Sequence, residues 1–145
     1  MEVEFRIAKR ADLADIISLT NECFGEETPL AYAEKIWDQY AHDPNQIYLN
    51  GYLDGKIVAH TKITIIPTIY EDMNTYAILN HVCVKPDMRR HHLGTKLLDE
   101  TFRICKKCGV KTVELWSKNF RQPAHALYQK YGFEVVDAKF FSKDI

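Results

Sequence analysis

Apolar residues recur along this chain with two periods, and the places where the period changes predict a succession of strands and helices. Glu4–Ala8 reads as a short strand. From Ala11-Asp12 the spacing becomes helical, with Leu13, Ile16, Ile17, Thr20 and Phe24 on one face. Gly25–Pro29 is a loop. Leu30–Tyr40 is a second helix that groups Tyr32, Ala33, Ile36, Trp37 and Tyr40 on one side, and Asp43-Pro44-Asn45 breaks it. Gln46–Leu53 and Lys56–Ile66 read as strands joined at Asp54-Gly55, a two-residue hairpin signal. After a polar connection over Pro67–Thr75, Tyr76–Val84 is an apolar, central strand. Leu93–Cys108 is a helix with Leu93, Leu97, Leu98, Thr101, Ile104, Cys105 and Cys108 inward, and Gly109 is its stop. Val110–Ser117 is a buried strand, Pro123–Tyr131 a short helix, and Glu134–Phe141 a final strand pair or an extended tail. The order βααβββαβαβ predicts an α/β (α+β) domain over residues 1–145, a mixed sheet with helices on its faces and no internal linker.

Composition narrows the class of protein. A chain of 145 residues is long enough to bury a real core. A net charge of −1 argues against a general nucleic-acid binder. No apolar run approaches the roughly 20 residues that span a bilayer, so no membrane partner is expected. The acidic start Met1-Glu2-Val3-Glu4-Phe5 reads into a strand rather than a signal peptide, and four cysteines in that context predict reduced thiols and a cytoplasmic protein.

The chemistry concentrates where the strand Val82-Cys83-Val84 stops at Pro86 and a helix starts near Leu93. The first turn of a helix carries N–H groups without internal partners, and the macrodipole adds partial positive charge there. Lys85, Arg89, Arg90 and Lys96 surround this turn, which makes it a candidate site for a phosphorylated ligand. It lacks the Gly-x-x-x-x-Gly-Lys-Ser/Thr pattern of a Walker loop, and with Gly94 as its one glycine it is not a dinucleotide fingerprint. As an alternative, the segment is a solvated basic turn.

A second constellation runs Ala124-His125-Ala126-Leu127-Tyr128-Gln129-Lys130-Tyr131-Gly132-Phe133, with Pro123 suited to a first helical turn and Gly132 to its end. By spacing alone Tyr128 is a core aromatic. Taken with Arg89-Arg90-His91-His92-Leu93-Gly94, however, this stretch resembles the GNAT superfamily of acetyl-CoA-dependent N-acyltransferases. In that family a pyrophosphate loop Gln/Arg-x-x-Gly-x-Gly/Ala follows a Val-x-Val-x-Pro strand end, and Ala-x-x-Leu-Tyr-x-Lys-x-Gly-Phe comes later. His92 stands where the family most often has its first glycine; histidine is enriched at positive φ, so the turn is retained. The family's usual asparagine spacing falls on Arg121, with Asn119 two positions earlier.

The resemblance implies a mostly antiparallel sheet with a splayed central strand pair, and acetyl-CoA as co-substrate. Val82, Cys83 and Val84 would hydrogen-bond the pantetheine arm along an open strand edge. Backbone and side chains of Arg89, Arg90, His91, His92, Leu93, Gly94, Thr95 and Lys96 would hold the pyrophosphate, and Asn119 would reach the arm. Tyr128 resembles the family's general acid, and its phenol is matched to a thiolate of similar basicity. The N–H of Val82 or its neighbour would polarise the thioester oxygen. Many family members place a carboxylate near the start of this strand. Here that position is Asn80, which leaves a water held by Asn80, His81, Glu71 or Asp72 as candidate base. Strand alternation points His81 away from the face of Asn80 and Val82.

The expected acceptor is a small-molecule or peptidyl amine. Phe24, Glu26, Glu27, Tyr32, Trp116 and Phe120 are candidates for its site, with Phe24, Glu27 and Trp116 as the substrate set; the acids suit a cationic amine. Cys105-Lys106-Lys107-Cys108 has redox or zinc spacing but lies inside a predicted helix without a second pair, so no metal is expected. Two function classes stay open: an amine N-acetyltransferase, and a non-catalytic acyl-CoA-binding module. Either is expected as a monomer or homodimer.

Overall fold

The computed structural model describes residues 2–89 and 91–145. Its strands form one five-stranded sheet in chain order: β1 (Glu4–Ile7), β2 (Gln46–Leu53), β3 (Lys56–Ile66), β4 (Tyr76–Val84) and β5 (Thr112–Leu115). β1 to β4 run antiparallel, and β5 joins β4 in parallel. Helices α1 (Leu13–Phe24) and α2 (Leu30–Tyr40) cover one face, where Leu13 and Ile16 meet Trp37 and Tyr48. Helices α3 (Leu93–Lys107) and α4 (Gln122–Tyr131) cover the other, where Leu97 and Leu98 pack with Ile63, Leu79 and Leu127. Fully burying each such leucine contributes about 1.5–3 kcal/mol, which makes this second layer the principal core. The fold is the expected mixed, mostly antiparallel sheet with helices on both faces.

Local signals explain most of the elements. The Asp54-Gly55 hairpin works because both residues take positive φ, 50° and 77°, as a primed turn requires. A 3-10 turn at Arg10–Asp12 precedes α1, and the Asp12 carboxylate accepts the Lys9 N–H at 2.8 Å. Several boundaries differ from expectation. β5 is shorter than Val110–Ser117 because the Val110 N–H donates to the Cys105 carbonyl and so belongs to the end of α3. Cys108 is exposed rather than inward, because it caps α3 instead of lying on its buried stripe. Residues 134–145 form no ladder; of the two alternatives for Glu134–Phe141, the strand pair is absent, and Val135, Val136 and Phe141 are exposed.

Two irregularities in β4 shape the functional region. Its pairing with β5 ends at Leu79 opposite Leu115, while β4 continues to Val84. This is the splayed strand pair, with an unpaired edge on Asn80–Val84. On the β3 side the register jumps from Lys62 opposite Asn80 to His60 opposite Cys83, so His81 and Val82 together face Thr61. That two-against-one arrangement is a β-bulge, which bends the strand and releases backbone groups from the ladder.

Beneath α1 and α2 the sheet buries a polar row. His60 Nδ1 lies 2.7 Å from Asn50 Oδ1, and Asn50 Nδ2 donates to the Tyr52 hydroxyl at 3.1 Å. Burial, with a smaller contribution from His81, pushes the His60 imidazole down to about 3. The folded state therefore binds fewer protons than the unfolded chain between about pH 6.5 and 3, and stability rises with pH through that window. This contribution is fully present above the ordinary histidine value and is lost on acidification, by an amount on the order of a few kcal/mol. His60→Gln keeps an N–H donor for Asn50 and removes the titration. Urea unfolding between pH 7 and 4.5 should show a flatter dependence for this variant; an equal slope would assign the acid lability to other groups.

Candidate active site

The chain leaves β4 through a 3-10 turn at Pro86–Met88 and enters α3 at His92, which caps the helix at φ 58°, ψ 21°. Histidine thus occupies the left-handed position that the loop requires. The Lys96 N–H donates to the His92 carbonyl at 3.1 Å, and the preceding N–H groups of Leu93, Gly94 and Thr95 belong to the first turn, where no helical carbonyl is available. Leu93 is buried and anchors the turn, while His91, His92 and Lys96 are exposed. A Cβ on Gly94 would lie 2.8 Å from Leu127 Cδ2, so this glycine sets the close approach of α3 to α4. The expected ring of four cations is looser than the sequence implies. Lys85 turns toward α1, with Glu22 at 3.7 Å and Asp87 at 3.9 Å. Arg89 donates to the Val84 carbonyl at 3.4 Å. Arg90 lies outside the described residues.

Along the open edge, Val82 and Val84 pack against the α3 side and Cys83 is buried. The Cys23 thiol of α1 donates to the Val84 carbonyl at 3.5 Å. Its hydrogen bond with Cys83, assisted by Arg89, draws Cys23 down to about 7, and the same contact together with burial pushes Cys83 up. Tyr128 approaches this edge from α4, close enough to Cys83 for the two to interact electrostatically. Its ring meets Phe133 edge-on at 5.8 Å, and its hydroxyl has no hydrogen-bond partner among the described residues. Burial raises the phenol above its ordinary value; Cys83 adds to that and Arg121 offsets part of it. The phenol is therefore protonated throughout the neutral range. α4 is tied to α3 by the Tyr131 hydroxyl, which donates to Asp99 Oδ1 at 2.8 Å.

The bulge overturns half of the expectation for His81, which still points away from Val82 but shares the face of Asn80. Alternation fails there because His81 takes φ 52°, and the Thr61 hydroxyl reaches across to donate to the Asn80 carbonyl at 3.0 Å. His81 turns to the α1–α2 face. Its Nε2 lies 3.0 and 3.2 Å from the two Glu26 oxygens, and Phe24 meets its ring edge-on at 4.8 Å. Asn80 pairs with Lys62, which pairs with Tyr48, so the three stand in one cross-strand row facing the same helices.

Glu26, Tyr48, Lys62 and His81 border a cleft of about 300 Å³ between the sheet and helices α1 and α2. Ile16, Trp37 and Tyr48 form its walls; Glu26, His81 and Lys62 are its charged or titratable rim. The structure brings Phe24 to the His81 ring but leaves Glu27 exposed and outside the cleft lining, where Glu26 stands instead. Trp116 is exposed and contacts Phe140 at 5.1 Å, also away from this lining. Asn119 is exposed, and its carbonyl accepts the Gln122 side chain at 2.7 Å. Tyr48, His60 and Lys62 were missed by sequence reasoning. Their signal was present: His60, Thr61, Lys62 and Thr64 break the apolar run Ile57–Ile66, and His60 and Lys62, at alternate positions, mark one face of the strand as meeting a cavity. Among the described residues no cluster of three metal-ligating side chains occurs, and no helix is long and apolar enough to cross a membrane.

Residues 13–133 match the family model described as the acetyltransferase (GNAT) family. A Danio rerio protein named N-alpha-acetyltransferase 50 is 36% identical over 39% of this chain and 34% of its own length. A Bacillus subtilis (strain 168) protein, named as a candidate ribosomal protein bS18-alanine N-acetyltransferase, is 28% identical over 71% of this chain and 60% of its own. The matches thus span less than two thirds of these relatives. A candidate acetyltransferase from Agrobacterium tumefaciens str. C58 superimposes with a TM-score of 0.87 at 18% identity, covering 97% of this chain and 99% of its own, a likeness of fold.

Proposed function

Since this chain belongs to the acetyltransferase (GNAT) family, we propose that it moves an acetyl group from acetyl-CoA to a primary amine of a small molecule or peptide, by direct attack in a ternary complex. One observation carries the reading. The unpaired edge of β4 runs from the N-terminus of α3 to the Glu26–His81 pair, so a cofactor site and an amine site share one strand. The residues present fit the co-substrate. First-turn N–H groups of α3 and a cationic loop suit a pyrophosphate, and the Val82–Val84 edge offers unpaired backbone to an amide-bearing arm. Acetyl-CoA supplies the activated acyl group.

The reaction balances as follows. An ammonium acceptor first gives up a proton to become nucleophilic. With His81 Nε2–H donating to Glu26, the lone pair on Nδ1 takes that proton and the carboxylate stabilises the imidazolium. The amine nitrogen then bonds to the acetyl carbon, and the backbone N–H of Val82 or its neighbour, at the bulge, would donate to the carbonyl oxygen as charge gathers on it. The C–S bond breaks, its electron pair stays on sulfur, and Tyr128 gives the departing thiolate a proton; the second proton, lost from nitrogen as the amide forms, passes through solvent to restore the phenol, and the His81 imidazolium returns its own proton to water.

The test has two parts. Acetyl-CoA at about 100 times its Kd should add roughly 2.7 kcal/mol of apparent stability. Amines should then accelerate release of free thiol. Stabilisation without acceleration by any amine would leave the acyl-CoA-binding module as the function; no stabilisation would remove both.

A further inference from the structure

The α1–α2 cleft carries information about the acceptor itself. Its volume of about 300 Å³ is at the low end for small-molecule sites. Its walls are aromatic and aliphatic, and Glu26 is the one carboxylate among its lining residues. A polycationic acceptor would leave most of its charges facing apolar walls, so a molecule with one amine fits better. The rim also holds a second charge. Lys62 is half-buried, and its Nζ stands over the Tyr48 ring at 5.6 Å. No acidic group among the described residues lies within ion-pair distance of it. The nearby acid, Asp43, accepts from the Asn45 N–H at 2.9 Å and the Gln46 side chain at 3.3 Å instead. Burial lowers the Lys62 ammonium, and the influence of Asp43 offsets part of that. A partly desolvated cation in an apolar cleft, with no counter-ion, is a binding group for an anion.

Building on the acetyltransferase reading, we propose that the acceptor is an aromatic primary amine that also bears a carboxylate, such as an aromatic amino acid. The amine would lie against His81 and Glu26, the ring between Ile16, Trp37 and Tyr48, and the carboxylate on Lys62. Cross-strand pairing of Lys62 with Asn80 places the anion-binding and amine-binding residues on adjacent strands, beside one another on a single face.

The experiment compares phenylalanine, tryptophan, phenethylamine and spermidine, with kcat/KM corrected for the free-amine fraction of each. A charge-assisted contact predicts that the wild type prefers phenylalanine to phenethylamine by about tenfold or more. Lys62→Gln should bring that ratio close to one, and Lys62→Arg should retain it. Calorimetry of phenylalanine on the CoA complex reads binding without turnover. Lys62-dependent binding without acetylation would sustain the assignment of the cleft and overturn the acetyltransferase reading. Acetylation that favours phenethylamine or spermidine, with a ratio unmoved by Lys62→Gln, would sustain the enzyme and overturn the acceptor class. Neither binding nor turnover of phenylalanine and tryptophan would also overturn the acceptor class.

Discussion

Tyr128→Phe should lower kcat by about 10²–10³-fold, within the usual range for loss of a general acid, and leave CoA affinity within about twofold. The expectation follows from what the hydroxyl does and does not touch. It has no hydrogen-bond partner among the described residues, so removing it leaves no protein group unsatisfied, and the ring keeps its contact with Phe133. α4 stays anchored through Tyr131 and Asp99. In the proposed mechanism, what disappears is the proton for the departing sulfur, held on a phenol that burial keeps protonated through the neutral range. A loss of 10²–10³ corresponds to about 3–4 kcal/mol of transition-state stabilisation. Steady-state thiol release reads kcat, and titration calorimetry reads CoA binding. A second readout separates acid catalysis from a packing effect. With acetyl thioesters of increasingly acidic thiols, proton donation matters less, and the wild-type to variant ratio should fall toward one. A ratio independent of the leaving group, or an unchanged kcat with acetyl-CoA, would remove Tyr128 from the role of acid.

The elements of this fold were legible in the sequence where their causes are local. Asp54-Gly55 dictates its hairpin because a primed turn needs positive φ at both residues, and the stripe Leu93, Leu97, Leu98, Thr101 dictates the buried face of α3. The cap at His92 was legible too, since few non-glycine residues tolerate that conformation as well as histidine. The acceptor side was less legible because its geometry is set at long range. His81 faces α1 and α2 only because β4 bulges opposite Thr61, and alternation within β4 contains no sign of that. Glu26 and Glu27 are adjacent and chemically equivalent in sequence. Glu26 meets His81 because the loop turns at Gly25, φ 64°, and is then fixed by the Asn21 side chain, which bonds both the N–H and the carbonyl of Thr28 at 3.1 Å. Lys62 reads as an ordinary strand lysine until α1 and α2 close over it.

The pair those long-range contacts assemble supports the second large effect. His81→Gln should reduce kcat/KM near pH 7 by about 10²–10³-fold, and Glu26→Gln by about tenfold, since the amide still accepts a hydrogen bond but no longer stabilises an imidazolium. The pH profile is the sharper test. With the imidazole as base, the ammonium gives up its proton within the complex. Without it, the amine must arrive already neutral, so the rate should keep climbing with pH toward the ionisation of the amine itself. Both side chains are substantially exposed, so neither substitution should cost much stability, and unfolding curves should nearly superimpose. A profile for His81→Gln that keeps the wild-type limb would transfer the base to a water held by Asn80, which faces the same helices. Asn80→Ala would then carry the loss. The bulge makes the distinction possible, because it puts His81 and Asn80 on one face although they are consecutive in the strand.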